Sequence, residues 1–316
     1  MVLEVQILRF CLKVFSFLII PIFFFIYYFF IREIFLSNEY FIIKKNDSHI
    51  NIIDRNINDN SFNLITYKLI LKMLLYSDIK IHHGKFEIEN KINFINLIKI
   101  ITSPSSFYEK ITIIEGSSKT DLNENLNIYF DNFEQIEYSE AISDTYLFSY
   151  GATFEDFEKI IQNRFIKIKE KYQDNDLLDR FSFNEIMIIG SLLEKEGLDY
   201  LDKKKIFSVI INRLNKNMKL QIDATVIFSI TKGITKLNRK LTYDDLKIED
   251  PYNTYFNYGL PPEPISYVGY KTIELIFENY KTNYLFYFYN SIEKKHIFSV
   301  NYKDHLKSLN EYRSKK

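Results

Sequence analysis

The chain has 316 residues, of which 47% are apolar, and its 41 basic and 41 acidic side chains cancel. This apolar content can bury the core of one large domain or two modest ones, which excludes a wholly disordered chain. Because there is neither a net charge nor a long basic block, nothing in the sequence favours nucleic acid, and we expect no such partner.

An uncharged apolar segment runs from Val14 to Ile31. As a helix it would be about 27 Å long, close to the thickness of a hydrocarbon core. No small-residue cleavage site follows it, so an uncleaved membrane anchor is favoured over a cleavable signal peptide. Arg9 and Lys13 precede the segment, and the positive-inside rule then predicts a cytoplasmic tail over residues 1–13. The sequence thus predicts a single-pass protein of the cell (inner) membrane whose remaining residues are extracytoplasmic.

Residues 41–140 are predicted to form a small α+β module followed by a linker. The pattern favours strands at "FIIKK", "KFEIE" and "KITIIEG", and helices at "NLITYKLILKMLLYS" and "KINFINLIKIITS". The stretch Asp121–Glu140 is acidic, rich in Asn and poorly periodic, and we interpret it as the linker. This interpretation places a domain boundary near Glu140. Whether the module binds a ligand or acts only as a spacer stays open.

Residues 141–316 carry stronger signals for three helices. The first is "GATFEDFEKIIQNRFIKIKEKYQ", with Thr153 as a predicted N-cap. The second is "SFNEIMIIGSLLEKEG", where Ser182 and Glu185 have the spacing of a capping box and Gly197 suits a left-handed C-terminal position. The third is "LDKKKIFSVIINRLNK". These helices and the short strands predict an α+β fold.

The segment "KLQIDATVIFSI" alternates apolar with polar residues. A period of two predicts an extended segment whose polar face carries Gln221, Asp223 and Thr225. Such a face offers hydrogen-bonding groups to a ligand, whereas the alternative is a buried structural network.

Two carboxylates, Glu194 and Glu196, end the second helix on either side of Lys195. Positions two apart on a helix differ by about 200° of rotation, so only one of them can face a given site. Glu196 lies beside the unpaired carbonyl groups of the helix end, whose partial negative charge should raise the pKa of its carboxyl group. A carboxylic acid that keeps its proton near neutral pH suits general acid catalysis of glycosidic bond cleavage. The alternative is a solvated, charged helix end.

Metal and thiol chemistry have little support in the sequence. Cys11 is the only cysteine, which excludes an intramolecular disulfide and a cysteine-based zinc site. His82 and His83 are adjacent and point to different faces of a helix or strand. We therefore expect no bound metal and no cofactor.

Six motifs in order resemble one enzyme family: "SLLEKE", "INRL", "MKLQIDATVIF", "YNTY", "GLPP", and a His-x-Phe followed by "DH". Together they are similar to the MltG, or YceG-like, endolytic murein transglycosylases. The resemblance implies a cytoplasmic tail, one membrane helix, a small LysM-like subdomain within residues 41–140 and a catalytic domain over 141–316. It also implies that the second glutamate of "EKE", Glu196, is the catalytic residue.

The activity implied by this resemblance is non-hydrolytic cleavage of the MurNAc-β-1,4-GlcNAc bond inside peptidoglycan strands. Glu196 would protonate the leaving oxygen and then take the proton of the MurNAc C6 hydroxyl as a 1,6-anhydro ring closes. No partner acid is evident in the sequence. Peptidoglycan synthases are possible partners, and termination of strand elongation is the expected role. Residues expected to bind substrate are Gln221, Asp223, Thr225, Asn253, Tyr255, Leu260 and Pro261.

Other interpretations stay open beside this one. Glu263 replaces the family's Gly after "GLPP", and "SYVG" replaces an Asn-Pro-Gly element, which favours a wall-binding or scaffold protein that has lost turnover. A lysozyme-like hydrolase would need a second acid near Glu196. Arg213 is expected to pair with an acid, and His296 and His305 are expected to be structural or peripheral.

Overall fold

The computed structural model describes residues 19–24, 26–76, 79–88 and 91–315. The chain divides into two compact units, the first comprising Met1–Glu109 and Leu147–Thr153 and the second Lys110–Tyr146 and Phe154–Lys316. Both contain helices and short strands, so the predicted α+β class is confirmed. The main segment of the first unit ends at Glu109, well before the predicted boundary near Glu140. The assignment of a LysM-like subdomain and a catalytic domain stays a prediction.

The N-terminal predictions fall largely outside the described residues. The predicted tail, residues 1–13, lies wholly outside them, and the predicted membrane segment Val14–Ile31 lies partly outside. Residues 19–24 are helical, and Tyr27–Ile31 form a turn of π-helix. Within the described ranges, no helix has both the length and the apolar character that crossing a bilayer requires.

After these N-terminal helical residues, the described part of the first unit combines two antiparallel strand pairs with three α-helices. Strand β1 (Glu33–Phe35) pairs with β4 (Lys91–Asn93), and β2 (Tyr40–Ile43) pairs with β3 (Gly84–Glu87). The helices are α1 (His49–Asn56), α2 (Ser61–Leu75) and α3 (Phe94–Ile101), and each begins after a Ser or Asn whose side chain accepts a backbone N–H. The predicted helix "KINFINLIKIITS" is therefore wrong in its first three residues, which form β4. Asn93 ends the strand by capping the helix.

The second unit holds most of the helices. Strands β5 (Tyr108–Thr112) and β7 (Thr145–Ser149) pair with each other, and each has residues in both units. The other short strands of the second unit are the parallel pair β6 (Ile142–Ser143) and β8 (Val268–Gly269) and the hairpin β9 (Phe286–Asn290) and β10 (Lys295–Ser299). Its helices are α4 (Lys119–Leu126), α5 (Phe154–Lys171), α6 (Phe183–Glu196), α7 (Tyr200–Asn215), α8 (Asp223–Thr231), α9 (Tyr270–Phe277) and α10 (Tyr302–Lys315).

Helix α6 is the centre of this unit. It contacts α7, α8, α9 and β8, and every residue from Ile186 to Leu193 is buried. The predicted capping box is confirmed, because Ser182 accepts the Glu185 N–H while the Glu185 carboxylate accepts the Ser182 N–H. A Cβ on Gly190 would lie 2.6 Å from Val268 Cγ1, so this glycine permits close packing. The tight packing fixes the position of the last residue of α6, Glu196.

Two local predictions are wrong in this unit. Gly197 has φ −79°, so it does not end α6 in a left-handed conformation; instead the side chain of Lys203 occupies the space that a Cβ would need. The predicted linker, Asp121–Glu140, begins inside helix α4, which a capping box between Ser118 and Asp121 starts, and its linking role stays a prediction. The predicted extended segment becomes helix α8 from Asp223 onward.

Candidate active site

Glu196 is the last residue of α6, and the Tyr287 hydroxyl donates to its Oε2 at 3.2 Å. The Ala224 backbone N–H, in the first turn of α8, also acts on the carboxylate and lowers its pKa. Burial raises the pKa of the Glu196 carboxyl group, and the nearby charge of Asp223 raises it further. The bond from Tyr287, the charge of His296 and the Ala224 N–H oppose this shift without cancelling it. The predicted direction is confirmed, but its main cause is desolvation of the carboxylate.

Glu194 points elsewhere and makes a structural ion pair. Its Oε2 lies 2.5 Å from Lys203 Nζ, and its Oε1 accepts the Gly269 N–H at 3.0 Å. The Glu194 side chain is only 2% exposed. This arrangement ties the end of α6 to α7 and to the start of α9. The prediction that the two glutamates cannot share a face is confirmed.

Tyr287 was not identified from the sequence, although it touches the candidate acid. It lies on β9, opposite Phe298 of β10, and its ring meets the His296 ring edge-on with centroids 5.4 Å apart. His296 Nδ1 is in turn 2.8 Å from Asp202 Oδ2 on α7. Burial, followed by the charge of Glu196, raises the pKa of Tyr287 well above its usual value. Tyr287 therefore stays protonated and can only donate to the Glu196 carboxylate.

Asp223 is a second carboxylate beside Glu196, where the sequence showed no evident partner acid. The Tyr255 hydroxyl donates to Asp223 Oδ1 at 2.6 Å. Asp223 is exposed, and its charge acts on the pKa of both Glu196 and Tyr255. The helical turn that begins at Asp223 explains this proximity, because the same turn presents the Ala224 N–H to Glu196.

The candidate site is thus a partly buried glutamic acid at the end of a rigid helix. A phenol, a backbone amide and a second carboxylate surround it. The YceG-like family model matches residues 41–311. The chain belongs to the YceG-like family.

Two curated relatives and one solved structure are similar to this YceG-like protein. An endolytic murein transglycosylase of Bacillus subtilis (strain 168) is 34% identical over 164 residues, which cover 52% of this chain and 44% of that protein. One from Streptococcus pneumoniae serotype 2 is 34% identical over 132 residues, covering 41% of this chain and 24% of that protein. The chain thus spans less than half the length of these relatives. A crystal structure of a yceG-like protein from Listeria monocytogenes matches 87% of this chain and 99% of that one, with TM-score 0.54 and 23% identity, and supports the fold.

Two residues predicted to bind substrate in this YceG-like protein have no accessible surface. The Thr225 side chain donates to Ile222 O and also bonds the Thr254 hydroxyl. The Asn253 amide donates to two carbonyl groups of its own loop and accepts the Tyr255 N–H. These contacts hold the loop that presents Tyr255 to Asp223, so we do not carry Thr225 and Asn253 into a sugar-binding role.

The other residues predicted to bind substrate differ in their exposure to solvent. Gln221 is exposed and takes φ +50°, and its N–H donates to Thr254 O. Leu260 packs against the core, Pro261 is buried, and Glu263 is exposed. The altered element "SYVG" is buried, and within it the Gly269 N–H holds Glu194. Direct sugar contacts by Gln221, Leu260 and Pro261 stay predictions.

Arg213 supports both segments that carry the site. It donates to Leu285 O and Leu220 O, each at 2.7 Å, rather than to the expected acidic partner. Leu285 precedes β9, which carries Tyr287, and Leu220 precedes the turn that carries Asp223. Arg213 therefore fixes the distance between these two segments. In the described part of the chain, no group of three metal-binding side chains converges on one point.

Replacing Tyr287 by Phe is expected to change the pH profile of this YceG-like protein. The hydroxyl lowers the pKa of Glu196, so its loss should raise that pKa further. Glu196 would keep its proton to higher pH, and the alkaline limb of the rate profile should move upward as turnover falls about ten-fold. Rates measured across pH for Tyr287→Phe and for the exposed control Tyr289→Phe check this. An unchanged alkaline limb in Tyr287→Phe would show that the hydroxyl does not tune Glu196.

Proposed function

We propose that this protein is a lytic transglycosylase that cleaves the MurNAc-β-1,4-GlcNAc bond within peptidoglycan strands. The observation that carries the proposal is the raised pKa of a partly buried Glu196 held by Tyr287 and Ala224. Membership of the YceG-like family supports it, as do the names of the curated relatives, endolytic murein transglycosylases.

In the proposed reaction Glu196 acts first as an acid and then as a base. Its proton goes to the glycosidic oxygen as the bond from that oxygen to MurNAc C1 breaks, which releases the GlcNAc hydroxyl. The Glu196 carboxylate then takes the proton of the MurNAc C6 hydroxyl while that oxygen attacks C1 and closes a 1,6-anhydro ring. Glu196 is protonated again at the end, and no water is consumed. The Tyr287 and Ala224 donors stabilise the intermediate carboxylate.

Hydrolysis is a second candidate, and the position of Asp223 is the observation that favours it. Enzymes that hydrolyse glycosides use two carboxylates, one as acid and one as base or nucleophile. Asp223 already acts on the pKa of Glu196, so it is close enough to be considered. Its bond from Tyr255, however, occupies one carboxylate oxygen, and this contact fits a role in holding a sugar hydroxyl.

The ends of the digestion products distinguish these candidates. The full chain, in detergent, is incubated with purified glycan strands and the products are weighed. We expect 1,6-anhydroMurNAc ends, which are lighter than reducing ends by one water. Reducing ends would establish a hydrolase, and intact strands would establish a wall-binding or scaffold protein.

We propose further that Val14–Ile31 anchors the chain in the inner membrane with the catalytic unit outside the cytoplasm. The lack of charge over this segment and the basic residues before it support this topology. An enzyme held there would cut strands as they are made and end their elongation, with peptidoglycan synthases as neighbours. Protease added to spheroplasts should then digest the second unit; protection of that unit would contradict the topology.

A further inference from the structure

A cavity of about 370 Å³ lies beside Glu196, within the second unit. Its walls are the first half of α4, the end of α6, one face of α8 and the loop that follows α8. Lys195, the neighbour of Glu196, lines it. So does Ala224, whose N–H lowers the pKa of Glu196. Its volume is that of a small-ligand site, and Lys195 and Ala224 connect its lining to the surroundings of the candidate acid, although Glu196 itself does not line it.

Two ammonium groups face this cavity. The Lys195 side chain is exposed and its Nζ donates to Gly116 O at 3.0 Å; partial desolvation lowers the pKa of Lys195, and the charge of Asp121 opposes this shift. Lys236 is exposed on the opposite wall. Among the residues that the structure describes, neither lysine forms an ion pair. An ammonium group that burial disfavours gains stability when a carboxylate of a ligand comes close.

The charge of Asp121 acts on both lysines, but among the described residues Asp121 forms an ion pair with neither of them. The Asp121 carboxylate accepts both the N–H and the hydroxyl of Ser118 in the capping box of α4. These bonds, ahead of Lys236 and Lys195, lower the pKa of Asp121. The hydrogen bonds of its own helix therefore hold the Asp121 carboxylate. Glu124, about one helical turn further along, also lines the cavity, so the lining carries charges of both signs.

The remaining wall is apolar and accessible. The Ile227 side chain is 38% exposed and that of Ile234 is 68% exposed, beside the partly buried Phe228 and Leu237. A ligand that matches this cavity carries carboxylates between short apolar groups. A bare sugar strand has hydroxyl groups but neither feature.

We propose that this cavity binds the peptide stem of the MurNAc residue at the cleavage point. The inference rests on the proposed function, because it takes peptidoglycan as the substrate. A stem is a short peptide with carboxylates and small apolar side chains, and it branches from the same sugar whose C1 is cut. Lys195 and Lys236 pair with its carboxylates, and Ile227 and Ile234 pack against its apolar groups.

The experiment measures binding rather than turnover. The full chain with Glu196→Gln is titrated with glycan strands that carry stems and with strands from which an amidase has removed them. We expect about ten-fold tighter binding of the stem-bearing strands. Adding Lys195→Gln and Lys236→Gln should abolish this preference. Adding Lys167→Gln and Lys281→Gln, two exposed lysines outside the cavity, should keep it.

Each outcome decides the inference. Equal binding of both strands by the Glu196→Gln protein, or a preference that survives the change of Lys195 and Lys236, overturns it. Cleavage of the same strands by the unaltered protein is measured in parallel. A stem preference without any cleavage would reject the proposed function and leave the stem-binding cavity standing.

Discussion

Replacing Glu196 by Gln is expected to abolish strand cleavage, with a loss of at least about 10²–10⁴-fold in turnover. Gln keeps the shape of the side chain and can still accept from the Tyr287 hydroxyl, but it can neither donate nor take the transferred proton. Turnover per folded molecule, measured by product mass, checks this result. Full activity in a folded Glu196→Gln protein would reject the mechanism.

The same substitution should not destabilise the fold. The folded state raises the pKa of Glu196, so between the unfolded and folded values the folded chain binds more protons than the unfolded one. The stability contribution of this group is therefore full below its unfolded pKa and is lost as pH rises through the folded value. Above the folded pKa Gln removes a buried charge, and there the melting temperature of Glu196→Gln should equal or exceed that of the unaltered protein.

Replacing Glu194 by Gln is expected to have the opposite effect, with retained turnover and lost stability. The change leaves the Lys203 ammonium, whose side chain is 14% exposed, without its carboxylate. Removing one partner of a buried ion pair costs about 3–5 kcal/mol of unfolding free energy. The Thr272 hydroxyl, 3.1 Å from Lys203 Nζ, offsets part of this cost, so we expect a loss of about 3 kcal/mol.

Denaturant unfolding of Glu194→Gln measures this loss. The matched control is the double change Glu194→Gln with Lys203→Met, which removes the uncompensated charge and should recover part of the stability. An unchanged midpoint in Glu194→Gln would show that the ion pair contributes nothing. Loss of turnover in the folded Glu194→Gln protein would mean that the roles of the two glutamates are misassigned.

Local signals in the sequence were sufficient to predict the helix that carries the candidate acid. The capping box at Ser182 and Glu185 and the apolar run of α6 fixed its start and its burial, and helical rotation separated Glu194 from Glu196. These features depend on residues a few positions apart, which is why pattern reasoning reaches them.

The surroundings of Glu196 could not be predicted in the same way. The contact with Tyr287 joins residues 91 positions apart, and a strand of alternating Phe and Tyr does not reveal which ring meets a carboxylate. The alternation of apolar and polar residues in "LQIDATV" predicted an extended segment, and this prediction is wrong. Gln221 has a positive φ, a helix begins at Asp223, and Thr225 is buried. Tertiary contacts decided the conformation of this short, ambiguous segment.

The central claim is that Glu196 works without a second carboxylate that activates water. Digestion of stem-bearing strands by the full chain in water labelled with heavy oxygen tests it directly. In the proposed reaction the new bond at C1 is made by the C6 oxygen of the same sugar, so the cleaved ends should carry no label. Heavy oxygen at C1 of the new ends would show that water attacks there, and would make Asp223 the base or nucleophile of a hydrolase.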